Sequence, residues 1–118
     1  MDIQQSNIEE VLDALRAGKP VLVTDAEDRE NEGDAIIAAE FATPEWIAWM
    51  IRHTSGYICA PMTEERANEL HLPLMWVNTE DPHHTAYTVS VDAKARATTG
   101  ISASDRALTG RVLADPLS

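Results

Sequence analysis

Residues 25–34 read DAEDRENEGD and hold six carboxylates, Asp25, Glu27, Asp28, Glu30, Glu32 and Asp34, around one cation, Arg29. Apolar runs flank them, PVLVT before and AIIAA after. The runs favour burial and the acids resist it. The chain is therefore expected to form two short buried-type strands joined by a charged loop. Carboxylates this close repel one another, so they need either full solvation or a cation among them.

Two readings of the loop stay open on the residues alone. A charge run between strands is commonly a solvated turn. Against that, the acids alternate at 28, 30, 32 and 34, and in an extended segment alternate residues share a face. Arg29 and Asn31 offer donors between them, and Gly33 permits a tight or positive-φ backbone. Convergent oxygens of this kind suit a hard cation, Mg²⁺ or Mn²⁺. An EF-hand fits poorly. Asp28, Glu30, Glu32 and Gly33 imitate the first half of its loop, but position twelve is Ala39, which cannot ligate.

At 118 residues, 44% hydrophobic and 25% charged, the chain fits one soluble domain with a modest core. Its net charge of −11 and lack of a basic cluster argue against a nucleic-acid backbone or an anionic membrane surface as partner. The longest apolar run, WIAWMI, is far too short for a membrane span. The stretch MDIQQSNIEE has neither a basic start nor an apolar core, so no secretion signal is expected. A lone Cys59 cannot form an internal disulfide, which fits a reducing, cytoplasmic setting.

The expected order is α-β-β-α-β-α-loop-β-α, an α+β fold with a mixed sheet and flanking helices. Ser6 and Glu9 spell a capping box ahead of Ile8, Val11, Leu12 and Leu15, and Gly18 ends that helix. VLVT and DAIIAAE read as strands. Thr43, Pro44 and Glu45 start a second helix with Trp46, Ile47, Met50 and Ile51 on its apolar face. YICA reads as a strand, TEERANEL as a short helix opening at Thr63, and HLPLMWVNTEDPHH as a long loop. TAYTVSVD alternates like a half-buried strand. Ser102 with Asp105 signs the start of a last helix, in which Gly110 is an unfavourable interior residue.

Other candidates have plain explanations of their own. Cys59 sits in an apolar strand, where a cysteine is usually core. His83 and His84 are adjacent, so their side chains diverge. TTGIS before a helix offers hydroxyls and N–H groups to a phosphate, or is a simple turn and cap. His53 at a helix end is explained by the helix dipole.

Four segments in order, DAEDRENEGDAIIAAEFATPE, IRHTSGYICAPMTEERANEL, TAYTVSVDA and TTGISASDRALTGRVLADP, resemble 3,4-dihydroxy-2-butanone 4-phosphate synthases along nearly the whole chain. EDRENEGD is the most distinctive of the motifs. The resemblance implies a riboflavin-pathway lyase that converts D-ribulose 5-phosphate to the butanone phosphate and formate. It implies Mg²⁺ or Mn²⁺ and a homodimer. It implies Glu30 as metal ligand, Arg29, Asp25 and Asp34 as substrate contacts, and Glu32 and Asp34 in proton transfer. Cys59 would line the site, and Thr98 and Thr99 would lie near substrate.

The resemblance covers the front portion of the family's chains. Their later half holds a Gly-His-Thr segment, whose His is the second metal ligand, and a further catalytic Glu; neither has a counterpart here. HHT at 83–85 aligns with a stretch that usually reads His-Gly-Thr, so His84 replaces a glycine. Gly110 replaces an apolar residue. Besides an enzyme, the sequence is compatible with a non-catalytic remnant that binds metal or phosphosugar or pairs with a longer homologue. It is also compatible with a plain acidic interaction module.

Overall fold

The computed structural model describes residues 5–118. The first helix, α1, spans Ile8–Arg16, and its N-cap is Asn7, whose side chain accepts from the Glu10 N–H. The expected box at Ser6 and Glu9 is therefore shifted by one residue, because Asn7 caps as well as serine and sits one step closer to the apolar run. The chain leaves α1 through Gly18, at φ +75°. It then enters β1, Val21–Thr24, which pairs antiparallel with β2, Gly33–Ile36. The register sets Val21 against Ile36 and Val23 against Asp34.

A single 3₁₀ turn, Ala39–Phe41, leads to α2, Pro44–His53, capped by Thr43 with Pro44 at its first position, as its sequence dictates. The short α3, Glu64–Glu69, is capped by Thr63. The last helix, α4, Ala103–Ala114, is capped by Ser102 and runs unbroken through Gly110. A Cβ on Gly110 would stand 3.5 Å from the Cβ of buried Ala42, an ordinary contact distance. Arg66 of α3 ties off the far end of α4, donating to the carbonyls of Leu113 and Asp115.

The core lies between α2 and α4. Ala42, Ile47, Met50 and Ala107 are buried, with Ala35, Ile37, Trp49, Ile58 and Ala103 packed on them. Arg111 and Arg106 of α4 extend the contact, donating to the carbonyls of Ala42 and Gly56.

The α+β class holds, but two expected strands do not form. Residues 57–60 run without ladder pairing, and residues 85–92 contribute only an isolated bridge, Leu74 to Thr88. Their apolar pattern suits a sheet, but among the described residues no neighbouring strand pairs with them.

The uncovered surface is large. The accessible area is 9436 Å², about one and a half times the roughly 6,300 Å² that a compact protein of this mass exposes. The radius of gyration is 15.5 Å, against about 13.5 Å for a compact chain of this length. Leu22, Trp76 and Val77 are each at least 70% exposed. No helix among the described residues is long and apolar enough to cross a membrane.

Candidate active site

The β1–β2 connection, residues 25–32, is organised by one side chain. Asp25 Oδ2 accepts from the Glu30 N–H at 2.9 Å and from Arg29 Nη1 at 3.0 Å. Its Oδ1 accepts from the Glu32 N–H at 2.7 Å. The Asp25 N–H bonds the Glu32 carbonyl, which continues the ladder one step into the loop. These bonds, led by the Glu32 N–H, hold the Asp25 carboxyl below its ordinary range. Arg29 is pinned from both sides, by Asp25 and, at 3.0 Å, by Glu30 Oε1. Arg29 and Glu30 thus face the same way, with Glu30 half-buried and Arg29 exposed.

The loop is not extended, as the alternation argument requires. Residues 27–30 form a turn, closed by the N–H groups of Arg29 and Asn31 on the Ala26 carbonyl. Asn31, not Gly33, takes the positive φ, at +53°. Gly33 lies in β2 opposite Thr24. The alternation survives only for Glu32 and Asp34, which share a face by the strand period; both are exposed. Asp28 belongs to the turn. Among the described residues no three His, Cys, Asp or Glu side chains are placed to hold a metal ion together. Glu30 fits one carboxylate ligand of a hard cation, and the described residues do not assemble the rest of a coordination shell.

The second candidate segment is built the same way. Asp105, 5% exposed, accepts from the Thr98 and Gly100 N–H groups and, at 2.7 Å, from the Thr98 hydroxyl. The Thr98 hydroxyl and these N–H groups hold its carboxyl below the ordinary range. The sequence shows Asp105 only as half of a cap. Ser102 does cap α4, but the Asp105 side chain turns away to close residues 98–100. The signal available was an acid at the third helical position, two turns of chain after a Thr-Thr-Gly. Gly100, at φ +86°, lies against Asp92, whose carboxylate would overlap any Cβ.

One chemical consequence separates the two threonines. The Thr98 hydroxyl proton is committed to Asp105, so toward a phosphate oxygen, an acceptor only, it has no proton to give. The Thr99 hydroxyl makes no such donation among the described residues and is exposed. Cys59 is exposed rather than core. It lies beside Tyr57, whose phenol is pushed above its ordinary value by that thiol first and by burial second. Tyr57 in turn packs on Tyr87, ring centroids 6.4 Å apart.

Comparison with known proteins decides the lineage. Residues 9–118 match the family 3,4-dihydroxy-2-butanone 4-phosphate synthase. The chain belongs to that family. It is 61% identical over 108 residues to the riboflavin biosynthesis protein RibBA of Nocardia farcinica, covering 92% of this chain and 26% of that protein. It is 56% identical over 111 residues to the 3,4-dihydroxy-2-butanone 4-phosphate synthase of Candida albicans, covering 94% of this chain and 54% of that one. A crystal structure of a 3,4-dihydroxy-2-butanone 4-phosphate synthase in complex with two magnesium ions superposes with a TM-score of 0.92 at 54% identity, covering 95% of this chain and 52% of the other. The chain thus spans about half of these two synthases and about a quarter of the RibBA protein.

Proposed function

We propose that this chain is the amino-terminal half of a lyase site that converts D-ribulose 5-phosphate to L-3,4-dihydroxy-2-butanone 4-phosphate and formate. The observation that carries the reading is the Asp25-centred loop, which fixes Arg29 and Glu30 side by side and leaves Glu32 and Asp34 open to solvent. Glu30 serves as the metal ligand from this half, for Mg²⁺ or Mn²⁺. When bound, the cation supplies Lewis-acid polarisation of the sugar's carbonyl and hydroxyl oxygens and offsets the crowded negative charge.

The chain's own groups have distinct tasks in this reading. Asp25 shapes the loop rather than touching the reacting carbons, since both its oxygens are already engaged. Arg29, exposed and held in place, has guanidinium N–H groups to offer the anionic sugar phosphate. Glu32 and Asp34, on one face, exchange protons with substrate during enediol formation and the later rearrangement. Thr99 donates to the phosphate, while Thr98 positions the segment through Asp105. Cys59 lines the site from the neighbouring extended segment. A homodimer, implied by the resemblance, belongs to the same reading.

Glu30→Gln tests it, because it removes the ligand charge and preserves the side chain's size. With Mg²⁺ as the probe, cation affinity should fall at least about tenfold, while stability changes by no more than about 1 kcal/mol, the scale of one lost ion pair with exposed Arg29. Formate release from D-ribulose 5-phosphate by the completed domain should be lost. Undiminished Mg²⁺ binding by Glu30→Gln would remove Glu30 from the metal site. An alternative is a remnant that binds cation or phosphosugar without turnover. The match to only about half of the synthase chains supports it for the chain acting alone.

A further inference from the structure

We infer that the uncovered apolar face of this chain is a docking surface for one particular occupant: the other half of a synthase domain, able to bind as a separate polypeptide. The inference rests on the family reading above.

The surface has two parts. One is an open cleft of about 430 Å³ lined by Lys19, Pro20, Leu22, Trp46 and Trp49, where β1 meets α2. The other runs through Leu74–Val77, where Met75 N–H bonds the Tyr87 carbonyl and Val89 N–H bonds the Pro73 carbonyl. These contacts start a ladder that stops after one bridge, and Trp76 and Val77 beside it are 70% and 78% exposed. Both faces of β1 are open as well: Leu22 is 75% exposed on one face and Val23 43% on the other.

The area sets the scale of the occupant. The surplus over a compact chain is roughly 3,000 Å². A standard-size interface covers only about 800 Å² on each partner and would leave most of the surplus wet. An obligate interface that resembles a domain core cut in half covers roughly 1,000–2,500 Å² on each partner. Chain length then names the occupant. The solved synthase that superposes at a TM-score of 0.92 has about as much chain again beyond the matched half. This half therefore keeps the backbone it has in the whole domain, so little rearrangement has to precede docking.

The test is co-expression of this 118-residue chain with the unmatched remainder of the Candida albicans synthase, so that the two meet as they fold. Sedimentation should give a 1:1 heterocomplex, with amide exchange slowed at residues 21–24, 74–77 and 87–91. Leu22→Lys and Val77→Lys should each weaken association at least about tenfold. Both positions are exposed in the free chain, so its circular dichroism should not change. The proposal is overturned if no heterocomplex forms, if only self-association is seen, or if both lysine variants bind unchanged. Formate release from D-ribulose 5-phosphate with Mg²⁺ is read in the same samples. A complex without formate leaves the docking intact and overturns the catalytic reading. Formate from this chain alone, with no complex, does the reverse.

Discussion

Two loops of this chain share one construction. Asp25 gathers the N–H groups of Glu30 and Glu32, and Asp105 gathers those of Thr98 and Gly100. Each carboxylate also takes a side-chain donor from its own loop, Arg29 in one case and the Thr98 hydroxyl in the other. They differ in setting. Asp105 is 5% exposed and stands at the head of a helix packed in the core, whereas the Asp25 side chain keeps 20% of its surface in water. The same device therefore holds a scaffold in one place and, in the other, presents free acids at the surface.

That contrast is most exposed by removing each hub. Asp105→Ala strands two backbone donors and a hydroxyl where water has little access, and each such group costs free energy when unpaired. The melting temperature should fall by more than about 10 °C. Asp25→Ala frees the same number of N–H groups beside solvent, so the fall should be no more than about half as large. Its effect on Mg²⁺ binding should be the greater of the two, because Arg29 and Glu30 lose their common anchor. Calorimetry and a Mg²⁺ titration on the two variants check the crossing. Equal losses of stability would mean that the Asp25 loop is as structural as the other.

Acid should separate the hubs next. Both carboxyls titrate below their ordinary range. The unfolded chain therefore takes up protons first, near pH 4. The stability these groups contribute is complete above that pH and is lost as pH falls through the lower, folded values. Acid also relieves repulsion among the other carboxylates of a chain of net charge −11. The readout is accordingly the difference between wild type and each Asp→Asn variant. That difference should be constant from pH 7 to about 5 and shrink below about 4, more for Asp105→Asn than for Asp25→Asn. A gap that stays constant down to pH 2.5 would contradict the assignment.

The sequence is most legible where structure is local. Thr43-Pro44, Thr63 and Ser102 each begin a helix as caps dictate, and the acids from Asp25 to Glu32 do form a loop between two strands, with Asp34 in the second strand. What escaped it depends on distant partners or on single dihedral angles. The alternation at 28, 30, 32 and 34 assumes an extended chain. It fails once Asp25 folds residues 27–30 into a turn, through bonds spanning five and seven residues. YICA and TAYTVSVD carry strand patterns but pair with no strand among the described residues, since a strand needs a neighbour that pattern alone does not supply. The resemblance to the synthases named the candidate residues. It did not reveal that the Thr98 hydroxyl donates its hydrogen bond to Asp105.

The smallest expected effect comes from the positive-φ residues within such loops. A third loop repeats the construction: Asp81 accepts from the N–H groups of His83 and Thr85. Between them His84 is held at φ +50°, and Asn31 stands at +53° in the acidic loop. Left-handed backbone costs an ordinary L-residue roughly 1–2 kcal/mol, but asparagine much less, because its short polar side chain bonds locally. Glycine has no such cost, but it loses roughly 0.5–1 kcal/mol of extra chain entropy on folding. His84→Gly should therefore stabilise the chain by about 0.5–1 kcal/mol, whereas Asn31→Gly should be neutral or slightly destabilising. Denaturant titration of the two variants decides it. If both shift alike, the histidine at position 84 carries no more conformational penalty than the asparagine at position 31.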